Sequence, residues 1–268
     1  MNSIINTFLP ISLSEMNGVK LLNRTDTKFV TTIDKLRLLL AMARGDYFAQ
    51  EIDGSRIAPY YTVYFDTPDQ AMYNVHQDGY ARRQKLRIRS YVDSHLNYLE
   101  IKTKNNHGRT KKKRISLSGF DPCHPSYDIR FNSTDASCVS ALNFLKQNLE
   151  YMPESLSEQL ENRFERITLV NKAKTERLTI DSHLKFHNLL TGICCSLDNL
   201  VIIELKRDGL QPSPILEMLR QLHIHPMGFS KYVMGAAMTN PQLKQNRLKP
   251  RIRQVMKLQQ QGNLKYAI

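Results

Sequence analysis

Lys85, Arg87 and Arg89 alternate with Leu86 and Ile88 in the stretch from Arg82 to Tyr91. The same rhythm returns in Glu100, Lys102 and Lys104 between Leu99 and Ile101, and in Lys112, Arg114 and Ser116 between Ile115 and Leu117. It returns again in Arg177, Thr179 and Asp181 around Leu178 and Ile180, in Glu204 and Lys206 around Ile203 and Leu205, and in Arg24, Asp26 and Lys28. Guanidinium forks bind two phosphate oxygens at once, and ammonium groups add mobile point charges. A carboxylate among them is a hard oxygen donor suited to a divalent cation. These residue types together suit phosphate chemistry on a polyanion.

A side-chain repeat of two belongs to strands, so each stretch places its ionic groups on one sheet face. Strands are predicted at Leu21–Thr31, Tyr60–Asp66, Arg82–Tyr91, Asn97–Lys104, Arg109–Leu117, Phe164–Val170, Arg177–Asp181 and Leu200–Lys206. Asn105-Asn106-His107-Gly108 reads as a hairpin turn. Thr32 suits the N-cap of a helix to about Met42, with Ile33, Leu36, Leu39 and Leu40 as its apolar stripe. Further helices are predicted at about 135–149, 155–163, 213–223 and 228–239.

The apolar stripes of these helices need a surface, and the strands' apolar faces supply one. The charged faces mix carboxylates with bases in Glu-x-Lys order, which a merely solvated face does not require. The fold class is therefore α+β, an antiparallel β-barrel or tunnel with a charged lumen and helices packed on the outside. A lumen of cations is costly to desolvate, so it is expected to be wet and filled by an anion in use. Residues 1–242 read as one domain and 243–268 as a basic tail, a loose helix or arm. No acid follows Glu217, whereas Lys and Arg continue to Lys265.

Thirty-eight basic residues against 25 acidic give a net charge of +13, which favours anionic partners. Four cysteines form no C-x-x-C pair, so a structural zinc site is not expected. P-loop and dinucleotide-binding glycine patterns are absent, as is a nucleophile elbow. No leader pattern and no eighteen-residue apolar run are visible, and the expectation is a cytoplasmic protein, membrane-associated if the basic tail meets acidic lipid.

Read in order, these segments resemble the VTC-type polyphosphate polymerase domain of the triphosphate tunnel (CYTH-like) superfamily, from Phe8 to about Met238. The pieces that carry the resemblance are Leu22–Phe29, Tyr64–Thr67, Leu86–Tyr91, Leu99–Lys102, Phe164–Arg166, Arg177–Asp181, Ile203–Lys206 and Phe229–Tyr232. It implies a β-tunnel enzyme that moves the γ-phosphate of a nucleoside triphosphate, ATP foremost, to a growing inorganic polyphosphate chain. It implies phosphate contacts from Lys28, Arg87, Arg89, Lys102, Lys112, Arg166, Arg177 and Lys231. Arg87, Arg89 and Lys231 would act on the transferring group. Arg24, Lys104, Arg114 and Lys206 join the substrate-binding set by strand parity, and Lys111 or Lys113 could stand in for Lys112. Glu204 is the implied ligand for Mn²⁺ or Mg²⁺, with Glu100 as a second metal candidate.

The hydrolase and cyclase branches open with Glu-x-Glu-x-Lys, whereas this chain reads Arg24-Thr25-Asp26-Thr27-Lys28. Losing the first carboxylate favours the polymerase branch. The alternatives are a tunnel triphosphatase acting on triphosphate or thiamine triphosphate, and a non-catalytic polyanion- or RNA-binding module; DNA is not an expected partner. If the lumen is empty and its cations repel, Arg87 should be dispensable to the fold.

Overall fold

The structure, a computed structural model, describes residues 2–16, 24–118, 120–122, 136–209 and 211–261, with backbone alone for Arg24, Ala136 and Ser137. In chain order the elements are α1 (Asn2–Ile5), β1 (Leu9–Ile11), α2 (Leu13–Met16), β2 (Arg24–Thr32), α3 (Ile33–Ala43), β3 (Tyr47–Gln50), β4 (Ala58–Asp66), α4 (Ala71–Gln77), β5 (Arg83–Tyr91), β6 (Leu96–Lys104) and β7 (Thr110–Ser116). There follow α5 (Ala136–Asn148), β8 (Ser157–Asn171), β9 (Glu176–Asn188), β10 (Cys194–Leu197), β11 (Leu200–Asp208), α6 (Pro214–Gln221), α7 (Lys231–Thr239) and α8 (Lys249–Gln261).

Eight strands lie side by side in the order β2-β11-β9-β8-β4-β5-β6-β7, each antiparallel to its neighbour. Among the described residues β2 and β7 do not pair with each other, so the sheet is a curled half-barrel rather than a closed ring. The α+β tunnel architecture is as the alternation implied.

The outward residues of the strands make two apolar layers. Phe29, Leu178, Ile180, Ile203 and Leu205 pack against Leu36, Leu39 and Leu40 of α3 and Ile215 and Leu219 of α6. Val63, Leu86, Ile88, Leu99 and Ile101 pack against Ala141 and Leu145 of α5. The Thr32 hydroxyl accepts from the Lys35 amide at 3.5 Å, the expected cap of α3.

Not every helix is outside. Val30, Tyr64, Leu160, Phe164 and Ile202 have the parity of the ionic residues, yet they bury α7 through Tyr232, Val233 and Met234. Of the two readings of the basic tail, helix or arm, the described part takes the helix, and it is docked rather than loose. Residues Lys249–Gln261 form α8, which seats Val255 in this same core. Asn199 fixes it by donating its side-chain amide to the Leu258 carbonyl at 2.8 Å. Tail residues 262–268 lie outside the described residues.

Two other expectations change. Residues 157–163 are the start of strand β8, not a helix. Their charges are absorbed across the sheet: Tyr61 donates to Glu161 at 2.6 Å, and Arg163 lies 4.3 Å over the Tyr61 ring. Strand β9 extends to Asn188 because a bulge at His183, in the left-handed region at φ 52°, resets its alternation. Asp181 before the bulge and Leu184 and Phe186 after it therefore share the concave face.

Candidate active site

The register gathers the predicted ionic residues from separate stretches onto the concave face. Lys28 pairs with Glu204 across β2 and β11, and Glu204 with Thr179 across β11 and β9. Asp181 pairs with Arg166, Arg87 with Glu100, and Lys102 with Lys112.

Three carboxylates organise this surface, and each is straddled by two cations. Glu100, fully buried, accepts from Arg87 at 2.6 and 2.9 Å and from Lys112 at 3.0 Å. Asp181 accepts from Arg166 at 2.6 and 2.8 Å and from Lys231, the first residue of α7. Glu204 lies 2.8 Å from Lys206 and 3.6 Å from Lys28. Burial works against ionising these acids, but the neighbouring cations outweigh it and hold all three below the usual carboxylate range. Arg87 acts with Arg89 and Lys112 on Glu100, Arg166 with Lys231 on Asp181, and Lys206 with Lys28 and Lys102 on Glu204.

Other cations of this face are less well balanced. Arg89 is only 7% exposed, makes no salt bridge among the described residues, and its buried Nε finds no hydrogen-bond acceptor. It lies 5.7 Å over Tyr60 and 5.9 Å over Phe164 instead. Burial, then Arg87 and Arg166, push its pKa down. Lys102 is pulled well below the ordinary lysine value by Arg87 first, then by burial and Arg89. Lys231 is lowered to about 7 by burial, partly countered by Asp181. Desolvated cations crowded together in this way are the chemistry that an anionic ligand would relieve.

At the α7 end, Lys85 donates to the Ser230 hydroxyl at 2.7 Å and Lys28 to the Phe229 carbonyl at 3.1 Å. Arg251 of α8 lies against Gly228. The result is a cationic rim around His76, whose pKa is pushed down to about 2 by burial and then by Lys85, Arg83, Arg251 and Lys28.

The family model of the VTC domain matches residues 23–240. The chain belongs to the VTC domain family. A solved Hippeastrum protein, described as a putative adenylyl cyclase with a dominant triphosphatase activity, shares 14% identity at a TM-score of 0.51, over 80% of this chain and 95% of its own. A putative adenylate cyclase from Bacillus halodurans shares 14% identity at a TM-score of 0.49, over 78% of this chain and 96% of its own. No curated protein matches the sequence.

Within this VTC domain, Arg87, Arg89, Lys102, Lys112, Arg166, Lys206, Lys231, Glu100 and Glu204 meet on one face. Lys112, not Lys111 or Lys113, turns inward, since Lys113 bonds Asn148 of α5 at 2.5 Å. Lys104 sits at the cationic end beside Lys85, and Arg114 lies 4.2 Å over the Tyr98 ring. Arg177 pairs with Lys206 in register, farther toward the opposite end. The Arg24 backbone pairs with Asp208, and its side chain lies outside the described residues. Sequence reasoning left out Lys85 and Asp181 from the site, although both share the parity that selected their neighbours. Ser230 and the Phe229 carbonyl had no periodic signal, because they precede a helix that folds back from another part of the chain.

Both Glu100 oxygens are committed to fully or partly buried ion pairs, whereas Glu204 is more exposed and 3.6 Å from its second partner. Among the described residues no three His, Cys, Asp or Glu side chains cluster as a metal cage. A lone carboxylate of this kind fits a divalent ion that draws its other ligands from phosphate and water. No helix of the described residues is long and apolar enough to cross a membrane.

Proposed function

We propose that this VTC domain is a polyphosphate polymerase that transfers the γ-phosphate of a nucleoside triphosphate, ATP first, to the end of an inorganic polyphosphate chain. The observation that carries the reading is Arg89: a buried guanidinium that makes no salt bridge among the described residues, its Nε without an acceptor, held between the Glu100 and Asp181 clusters. A surface meant only to be solvated would not bury it, and a surface meant only for stability would pair it.

In the reaction, a terminal phosphate oxygen of the chain attacks the γ-phosphorus while the bond to the β-bridging oxygen breaks, leaving the nucleoside diphosphate. Such a transfer needs positioning and neutralisation more than covalent help. Arg87 and Arg89, adjacent on one face of β5 and roughly 7 Å apart, grip neighbouring phosphoryl groups. Lys231, presented by the N-terminus of α7, adds a cation whose charge is reinforced when phosphate arrives. Lys28, Lys102, Lys112, Arg166 and Lys206 hold the remaining phosphates, with Lys104, Arg114 and Arg177 along the groove; Arg24 stays in the substrate-binding set on strand parity alone. Glu204 would hold Mn²⁺ or Mg²⁺, which supplies further charge neutralisation on the phosphate oxygens. Glu100 serves chiefly to orient Arg87. The exposed bases of α8, Lys249, Arg251, Arg253 and Lys257, are the surface at which an acidic membrane or membrane partner would meet a cytoplasmic domain.

The gap between β2 and β7 favours a second reading. An open groove admits water, which supports a triphosphatase acting on triphosphate or thiamine triphosphate. A binding module without catalysis is less well supported, since carboxylates within the basic face repel phosphate unless a metal intervenes. Pure protein incubated with ATP and Mn²⁺ separates the three. Long polyphosphate on a gel supports the polymerase, inorganic phosphate alone supports the hydrolase, and unchanged ATP would leave only binding.

A further inference from the structure

The groove's two ends differ in one respect that phosphate binding does not use. Beyond Arg89, β4, β5 and β6 bring Tyr60, Tyr91 and Tyr98 onto the concave face, Tyr60 opposite Tyr91 and Tyr98 opposite Arg89. The Tyr60 and Tyr91 ring centres are 4.9 Å apart, and those of Tyr91 and Tyr98 are 5.9 Å apart at 87°. Cations lie on the outer members: Arg166 is 4.8 Å over Tyr60, and Arg114 is 4.2 Å over Tyr98. Neither Tyr91 nor Tyr98 belongs to an apolar core, and both are half-buried.

A phosphate chain has no π-face and gains nothing from tyrosine rings. A nucleoside triphosphate carries phosphates at one end and a flat ring at the other. Tyr91 lies two residues beyond Arg89 on the same face of β5, roughly 7 Å farther along the strand. That offset leaves room for a sugar between a phosphate on Arg89 and a base on Tyr91. We infer that Tyr91 and Tyr98, backed by Tyr60, form a stacking subsite for the base of the nucleoside triphosphate, so that the nucleotide lies with its base at this end and its phosphates toward α7. The cationic rim of Lys85, Arg83 and Arg251 then faces the phosphate end. Base stacking on aromatic rings tolerates different bases, so the subsite selects nucleotides over inorganic triphosphate rather than one nucleotide over another. This inference rests on the groove being a triphosphate site, as proposed above.

Calorimetric titration of the full chain with a non-hydrolysable ATP analogue and, separately, with inorganic triphosphate tests it. The double variant Tyr91→Ala/Tyr98→Ala should bind the analogue at least tenfold more weakly and inorganic triphosphate as the parent does. Tyr91→Phe should restore the aromatic contact and bind the analogue normally. An equal loss for both ligands, or no loss for either, would overturn the subsite. The parent offers a second measurement that needs no variant. The chain has no tryptophan, so tyrosine dominates its fluorescence. The ATP analogue should quench this emission more than inorganic triphosphate does at equal saturation, and equal quenching counts against the inference. A parent that binds neither ligand would remove the groove reading itself, and the subsite with it.

Discussion

Two parts of the concave face are built from the same strands with the same alternation, yet they hold opposite chemistry. Around α7, Val30, Leu160, Phe186 and Ile202 make an apolar bed that the helix covers. Two residues along the strands, Lys28 and Glu204 succeed Val30 and Ile202, and the face becomes ionic. The apolar part is tightly packed: a methyl group added at Gly235 would come within 2.4 Å of the Phe186 ring and 2.7 Å of Leu160. The ionic part is satisfied only in part: Arg89 and Lys102 make no salt bridge among the described residues, and the Arg89 Nε has no acceptor. Period-two alternation fixes which residues share a face. What covers that face is decided by side-chain type, and here by helices that arrive last in the chain.

The sharpest way to break this comparison is within β5. Arg89→Ala removes a buried charge that makes no salt bridge among the described residues, so the protein should melt at or above the parent temperature while polyphosphate synthesis falls by a hundredfold or more. Arg87→Ala should abolish synthesis too, but at a cost to the fold, contrary to the expectation that repelling cations would make it dispensable. Its loss leaves the fully buried Glu100 with Lys112 alone, a change at the low end of about 3–5 kcal/mol for breaking a buried pair. Thermal melts of both variants beside gel assays check this. Equal melting temperatures would mean that Arg87 and Arg89 are equivalent and that the ion-pair organisation is not structural.

The packed part should respond in the reverse order, through the fold first. Gly235→Ala forces the Phe186 ring and Leu160 apart, and overpacking of this kind costs about 1–3 kcal/mol. Because α7 presents Lys231 to Asp181, displacing the helix should also weaken triphosphate binding. Denaturant melts and a binding titration would measure both effects. A variant with parent stability and weakened binding would show that α7 tunes the site without being packed by it.

Much of this was legible in the sequence, for a physical reason. Leu86/Arg87/Ile88/Arg89 and Leu99/Glu100/Ile101/Lys102 alternate without interruption, so strand parity alone named the inward residues, and the resemblance supplied Arg166 and Lys231. Residues 157–163 misled because Glu158 and Glu161 stand three apart, as neighbours on a helix do, while the partners that settle the segment as strand, Tyr61 and His187, are distant in sequence. The seating of α7 and α8 was invisible for the same cause: Lys28 with the Phe229 carbonyl and Asn199 with the Leu258 carbonyl are contacts between remote segments. The gap between β2 and β7 is a property of sheet curl, which no local pattern encodes.

The gentlest test uses pH and no mutation. Burial first, and neighbouring cations with it, lower Lys85 and Lys231 in the folded protein, while Arg87 is the main cause of the same shift at Lys102. The unfolded chain therefore binds more protons than the folded one above pH 7, from the Lys231 value of about 7 toward the ordinary lysine value near 10.4. Stability rises with pH wherever the unfolded state holds more protons, so the empty domain should gain melting temperature between pH 7 and about 9.5. Each kcal/mol corresponds to about 2–4 °C in a chain of this size, so a gain of a few degrees is expected. The depressed carboxyls of Glu100, Asp181 and Glu204 work from the acid side, where their contribution is lost as pH falls below the ordinary carboxylate range near 4. Bound inorganic triphosphate should flatten the alkaline rise, because its charge keeps the lysines protonated. A melting temperature that stays level from pH 7 to 9.5 without ligand would show that these lysines are already neutralised, and the ionic part of the face would then be as complete as the apolar one.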